Sequence, residues 1–283
     1  MGSKIYLQLN GGLGNQISSL AAGFIASRSQ SKDLLIDSRN APKRVFEDQL
    51  HSDLENFDLA PIKELIGNLV FDYNVKKVDL LLKSTLSSFS RRGIIPGNFK
   101  NNANPNVINS FLKKKPRFLS AHYEGKVFPL EALKWGFPQV LELKKPSKEY
   151  LLLLARLRNE KPIGVHIRLG DFRTWHAGEY LLPVSYYEKA LHSIRQQLGT
   201  RKVWVFSDEP STAQTMLRHI PNLEVVSGAN RISVAEELKL LSLCHGLVTS
   251  RSTFSWWAGF WNISPEVIIS NDPGVALDTW QIV

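Results

Sequence analysis

KIYLQL (4–9), NGGLGNQ (10–16), QISSLAAGFIASRS (16–29) and LLIDS (34–38) follow one another almost without interruption. The first is a short apolar strand, the second a glycine-rich turn, the third places apolar residues at helical spacing, and the fourth is a second strand, so the chain opens on a βαβ unit. The alternation returns more clearly beyond residue 162, with strands predicted at IGVHI (163–167), VWVF (203–206), EVV (224–226), LVTS (247–250) and EVIIS (266–270). Between them lie helical stretches such as YYEKALHSIRQQL (186–198), where Tyr187, Leu191, Ile194 and Leu198 share a face, and VAEELKLLSLC (234–244). Such alternation predicts parallel sheets covered by helices, with ligands at the carboxyl ends of the strands. From 40 to 160 the signal weakens: helical stretches near 60–70 and 147–158 flank a loop-like zone, IIPGNFKNNANPN (94–106). The expectation is two α/β domains, 1–160 and 161–283, with a cleft between them.

A chain of 283 residues with 43% hydrophobic and 22% charged residues has ordinary globular composition, which excludes collagen-like or largely disordered material. The single cysteine, Cys244, removes a disulfide framework and suits a reducing compartment. With no secretory h-region and no apolar run of membrane-spanning length, the expected location is the cytoplasm. Charge is unevenly spread. Residues 1–161 carry 25 Lys/Arg against 15 Asp/Glu, whereas 162–283 carry 10 against 11. Segment 76–118 holds ten basic residues (Lys76, Lys77, Lys83, Arg91, Arg92, Lys100, Lys113, Lys114, Lys115 and Arg117) and one acid, Asp79. It reads either as a solvated surface or as a contact for an anionic partner, such as an inner-membrane leaflet or a lipid-linked acceptor. No helix-turn-helix, zinc-finger or RNP pattern supports a nucleic-acid partner.

Four motifs sit where strands run into polar turns. In Asn10-Gly11-Gly12-Leu13-Gly14-Asn15-Gln16, glycines let the backbone turn sharply while the following helix presents free N–H groups to an anion. Gly12 and Gly14 match the first two glycines of the dinucleotide fingerprint, but Ile17 replaces the third. A turn whose glycines serve geometry alone is the alternative, and Asn15 and Gln16 favour a ligand-facing loop. In Gly164-Val165-His166-Ile167-Arg168-Leu169-Gly170-Asp171, alternation puts His166 and Arg168 on one face with Asp171 just beyond the strand. Arg168 can hold two phosphate oxygens, and Asp171 can orient it or accept a proton. His166 taken alone also reads as a satisfied core histidine. Phe206-Ser207-Asp208-Glu209-Pro210 offers Asp208 to a base or sugar, or as a helix cap. In Ser250-Arg251-Ser252-Thr253-Phe254-Ser255-Trp256-Trp257, hydroxyls at a helix start suit an anion, and the tryptophans read as core before stacking platforms.

No metal site is expected. There is no D-x-D dipeptide to hold a metal–pyrophosphate, no His/Cys/Asp set with zinc spacing, no P-loop and no G-x-S-x-G elbow, so phosphate charge falls to Arg and to helix dipoles.

Taken in order, GGLGNQ, VHIRLGDF, FSDEP and ELKLLSLCHGLVTSRSTFSWWAG resemble the α-1,2-fucosyltransferases of glycosyltransferase family 11. The resemblance implies a GT-B-like pair of Rossmann domains, with the C-terminal one binding the GDP-sugar and the N-terminal one on the acceptor side. It also implies GDP-fucose as donor, no metal or other cofactor, and inverting transfer to the 2-hydroxyl of a galactose-containing glycan acceptor. Arg168 would clamp the pyrophosphate with support from His166, and Ser252, Thr253 and Phe254 would contact phosphates. Asp208 would help hold the nucleoside, and Asn15, beside Gly14, would face phosphate or fucose. The broader family pattern H-x-R-R-x-D has a second Arg where this chain has Leu169; Arg173 and Arg251 are the candidates to replace it.

Direct displacement needs a base near the acceptor hydroxyl. Asp171 is the first candidate, and His176 and Glu179, in the RTWHAGEY turn, are the reserves. The alternatives to this activity are transfer from another nucleotide sugar and a binding module without catalysis.

Overall fold

The computed structural model describes residues 4–46, 49–71, 94–99, 106–123, 125–228, 232–262 and 267–283. The chain divides into two compact units, Met1–Lys144 and Lys145–Val283.

In the first unit, β1 (Ile5–Gln8), α1 (Leu13–Gln30) and β2 (Leu34–Asp37) form the βαβ start. A hairpin of β3 (Lys43–Phe46) and β4 (Gln49–Ser52) follows, then α2 (Ala60–Ile66), β5 (Leu69–Phe71), β6 (Ile94–Phe99), α3 (Asn106–Lys113), β7 (Phe118–Tyr123) and α4 (Val127–Lys134). The sheet order is β5-β2-β1-β7-β6, and every pairing is parallel. Helix α1 is buried along most of its length, because it lies on the sheet closely enough that a Cβ at Gly23 would come within 3.0 Å of Leu7. One expectation is corrected here: IIPGNF is a strand, not a loop. Pro96 lacks an amide hydrogen, which an edge strand tolerates, and β6 is the edge of this sheet.

The second unit begins with α5 (Lys148–Glu160) and continues β8 (Ile163–Ile167), α6 (Val184–Leu198), β9 (Val203–Ser207), α7 (Pro210–Met216), β10 (Leu223–Val225), α8 (Val234–Ser242), β11 (Gly246–Val248), α9 (Thr253–Trp261), β12 (Val267–Ser270) and β13 (Gln281–Ile282). Its sheet order is β10-β9-β8-β11-β12-β13, parallel throughout, and numbering from β8 gives the Rossmann order 3-2-1-4-5-6. All five residues of β8 are buried, consistent with an inner strand covered on both faces. Ile163, Val165 and Ile167 pack with Tyr187, Leu191 and Ile194 of α6.

The division falls one helix earlier than a boundary after residue 160. Helix α5 is tied into the second unit: Ser147 N–H donates to Glu236 Oε1 at 2.6 Å, and Arg156 pairs with Glu224 on β10 at 2.7 Å. The tryptophans of α9 are core. Trp257 is fully buried, while Trp256 stacks on Phe260 and donates its indole N–H to the Val275 carbonyl.

Candidate active site

Strand order in the second sheet reverses between β8, from which the chain runs outward to β9 and β10, and β11, from which it runs outward to β12 and β13. Ligands in open α/β sheets sit at this switch point, outside the carboxyl ends of the strands. The sequence motifs of this unit converge on that edge because each is the exit of one of these strands: 168–171 after β8, 208–209 after β9, 249–255 after β11.

Across the switch point, His166 Nδ1 lies 2.7 Å from Ser250 Oγ, and the imidazole lies 5.0 Å from the Phe254 ring. His166 is buried, and burial, helped by the nearby Arg168 charge, pushes its pKa down to about 3. It is therefore neutral at ordinary pH, and it braces the loop before α9. Ser255 Oγ accepts from Ser250 N–H at 3.1 Å, and Ser252 Oγ caps α9 by accepting from Phe254 N–H at 3.2 Å. Tyr186 on α6 donates to the Thr249 carbonyl at 2.8 Å. Ser252, Thr253 and Phe254 thus stand half-buried at the positive end of a helix dipole.

Arg168, just past β8, directs every guanidinium nitrogen at a carboxylate. Nε and Nη2 each lie 2.9 Å from Asp171 Oδ1, and Nη1 lies 3.3 Å from Asp208 Oδ2. The guanidinium also sits over the Phe172 ring, 5.9 Å from its centroid. Asp208 Oδ1 accepts from Leu169 N–H at 2.9 Å, and a Cβ on Gly170 would fall 2.6 Å from Asp208 Oδ2. His166, Arg168, Asp171, Asp208 and Ser252–Phe254 are therefore assembled on one edge.

The remaining expected residues fall elsewhere or stand apart. Gly14 is buried and Asn15 half-buried at the start of α1 in the first unit. Gln16, read as ligand-facing, is instead fully buried and structural: its side chain donates to the Gly11 carbonyl at 3.1 Å and accepts from Leu54 N–H at 3.2 Å. Gly11 turns the loop at φ +71°, where a Cβ would fall 2.6 Å from Asn15 Nδ2. His176 lies in a 3₁₀ turn, Trp175–Gly178, and Glu179 is exposed just beyond, its carbonyl accepting from Arg251 Nη1 at 3.0 Å.

Neither candidate for the second arginine stands ready. Arg173 is held by Glu209 at 3.1 and 2.6 Å, and Arg251 is engaged with Glu179. Position 169 itself points inward, where Leu169 belongs to the core. Sequence reasoning missed Glu209 as the partner of Arg173. It also missed a hydroxyl chain under β9, in which Ser207 N–H donates to Ser227 Oγ and Ser227 Oγ to Glu237 Oε2, both at 3.0 Å. The FSDEP motif carried the signal for Glu209; nothing local linked Ser227 to Glu237. Among the described residues no group of His, Cys, Asp or Glu has the arrangement to hold a metal ion.

Two α/β units with parallel sheets, the second in Rossmann strand order, give a fold of GT-B type. Solved structures with this fold include fucosyltransferase NodZ from Bradyrhizobium, at 14% identity and TM-score 0.57 over 96% of each chain. POFUT1 in complex with GDP-fucose is similar at 11% identity and TM-score 0.52, over 94% of this chain and 97% of that one. Residues 148–275, the part of the chain that holds the assembled edge, match the family described as glycosyl transferase family 11. The chain is also 26% identical to the O-antigen biosynthesis glycosyltransferase WbnK of Escherichia coli, over 98% of this chain and 99% of that protein.

Proposed function

We propose that the protein transfers fucose from GDP-fucose to the 2-hydroxyl of a galactose-containing glycan acceptor, with inversion and without a metal. The observation that carries the reading is Arg168 beside the hydroxyl-rich start of α9 at the switch point: a guanidinium and a helix dipole can meet a diphosphate's charge together. One NodZ crystal was soaked with GDP-fucose, POFUT1 has been solved in complex with GDP-fucose, and WbnK is a glycosyltransferase of O-antigen biosynthesis. NodZ is an α-1,6-fucosyltransferase, so the choice of the 2-hydroxyl rests on the likeness of the four motifs to the α-1,2 enzymes.

In this reading Arg168, oriented by Asp208, and Ser252, Thr253 and Phe254 hold the pyrophosphate, and Asp208 lies toward the nucleoside. His166 keeps the α9 loop in place. As the acceptor oxygen bonds to the anomeric carbon, the bond from that carbon to the phosphate oxygen breaks and GDP leaves with the electron pair. The acceptor proton passes to a base, for which Asp171 is first in line and His176 and Glu179 follow. The first unit, with Gly14 and Asn15 in its turn, is assigned to the acceptor side. The setting is the cytoplasm, with peripheral contact at an anionic membrane or lipid-linked acceptor through the basic segment. Of that segment Lys113, Lys114, Lys115 and Arg117 are exposed, while Lys76, Lys77, Lys83, Arg91, Arg92 and Lys100 lie outside the described residues. No described helix is long and apolar enough to cross a membrane.

The test is mass spectrometry of β-galactosides incubated with GDP-fucose in EDTA. One added deoxyhexose, located on the 2-hydroxyl by linkage analysis, is the expected product. Transfer from another nucleotide sugar, or donor binding without turnover, would replace this reading with one of its alternatives.

A further inference from the structure

Asp171 Oδ1 fills the Nε/Nη2 fork of the Arg168 guanidinium and Asp208 Oδ2 faces Nη1, so a phosphate that is to sit bidentately on the Nε/Nη2 fork must displace Asp171. The two carboxylates are unequal. The Asp208 side chain is 23% exposed, accepts the Leu169 N–H and is confined by Gly170, whereas the Asp171 side chain is 62% exposed and occupies two of the guanidinium nitrogens with one oxygen. Asp208 is fixed by contacts that do not involve Arg168. Asp171 sits on a short 3₁₀ turn, Asp171–Arg173, whose backbone bonds do not need its side chain.

We propose that Asp171 is an internal occupant of the anion position: in the donor-free protein it holds the place of a phosphate on Arg168, and an arriving diphosphate displaces it while Asp208 keeps the guanidinium oriented. This rests on the proposed donor reading and deepens it. The apparent affinity for a phosphorylated ligand is lowered by the fraction of molecules in which Asp171 is seated. A diphosphate, with several oxygens to place around Arg168 and the α9 start, displaces the carboxylate more readily than a single small anion does. Displacement also leaves the Asp171 carboxylate without its cation just as the sugar arrives, free to take the acceptor's proton. Donor binding and the availability of the base are thereby coupled through one ion pair.

The exchange predicts an unusual sign. A residue that helps to bind the donor weakens binding when changed, but removing a competitor strengthens it. Full-length protein is titrated calorimetrically with inorganic pyrophosphate and, in parallel, with GDP, for the wild type, Asp171→Asn and Glu179→Gln. Glu179→Gln removes one charge from the same loop without touching Arg168 and so measures the general field. Asp171→Asn should tighten both ligands about two- to fivefold, the size of a partly exposed ion pair, and clearly more than Glu179→Gln. Unchanged or weaker binding in Asp171→Asn, or equal tightening in Glu179→Gln, overturns the exchange. Tightening for pyrophosphate in a protein that ignores GDP leaves the exchange standing and removes the GDP reading.

Discussion

His166 and Ser250 meet across the point where strand order reverses, Nδ1 to Oγ at 2.7 Å, and join the exit of β8 to the loop that starts α9. The two halves of the proposed anion site, Arg168 on one side and Ser252–Phe254 on the other, are linked through this buried contact. His166 has to stay neutral to remain there.

Its titration follows from that. The folded-state pKa is about 3 and the ordinary value 6.5, so between these limits the unfolded chain binds a proton that the native protein refuses. Stability is therefore lost as pH falls from 6.5 toward 3, at a rate approaching about 1.4 kcal/mol per pH unit for one group. Urea unfolding at neutral pH and at about pH 5, compared between wild type and His166→Gln, should show a smaller acid loss in the variant. Equal losses would mean that His166 is not held neutral by burial.

Asp208 should matter for folding apart from any ligand. Its Oδ1 receives the Leu169 N–H, and Asp208→Ala leaves that donor without its acceptor, at a cost of about 1–3 kcal/mol. Asp208→Asn keeps an oxygen in place and should recover most of that loss. Thermal unfolding of the two variants measures the difference; identical melting temperatures would show that the Leu169 contact contributes little.

The basic segment makes a separate prediction. A near-surface Lys or Arg contributes about 1 kcal/mol at an anionic bilayer, so the exposed run Lys113–Lys115 with Arg117 should favour vesicles containing acidic lipid. In flotation at low salt, more protein should rise with anionic than with neutral vesicles, and Lys113/Lys114/Lys115→Gln should reduce the excess. Equal recovery on both would make the patch merely solubilising.

The second unit was legible because its strands are unbroken apolar runs ending in polar turns; IGVHI and VWVF needed no long-range information to be read. Its motif residues come together for the same reason, since a parallel sheet gathers all strand exits on one edge. The first unit was harder. Strand β6 contains Pro96 and Gly97, which read locally as a loop, and only its place at the sheet edge makes them acceptable. Gln16 misled because a polar residue next to a glycine turn looks ligand-facing, and the backbone groups that consume it, at Gly11 and Leu54, are invisible in sequence. The pairing of Arg168 with two carboxylates was half legible: Asp171 is three residues away, whereas Asp208 arrives from the neighbouring strand.

On the proposed function, Arg168 at the switch point holds the diphosphate of a guanosine donor. Calorimetric titration of wild type and Arg168→Ala with GDP and UDP, all in EDTA, tests it most directly. GDP should bind the wild type without metal, UDP should bind more weakly, and Arg168→Ala should lose about 1.5–3 kcal/mol of GDP affinity, the range for a hydrogen bond to a charged group. Undiminished GDP affinity in Arg168→Ala, or binding that appears only when manganese is restored, would contradict it.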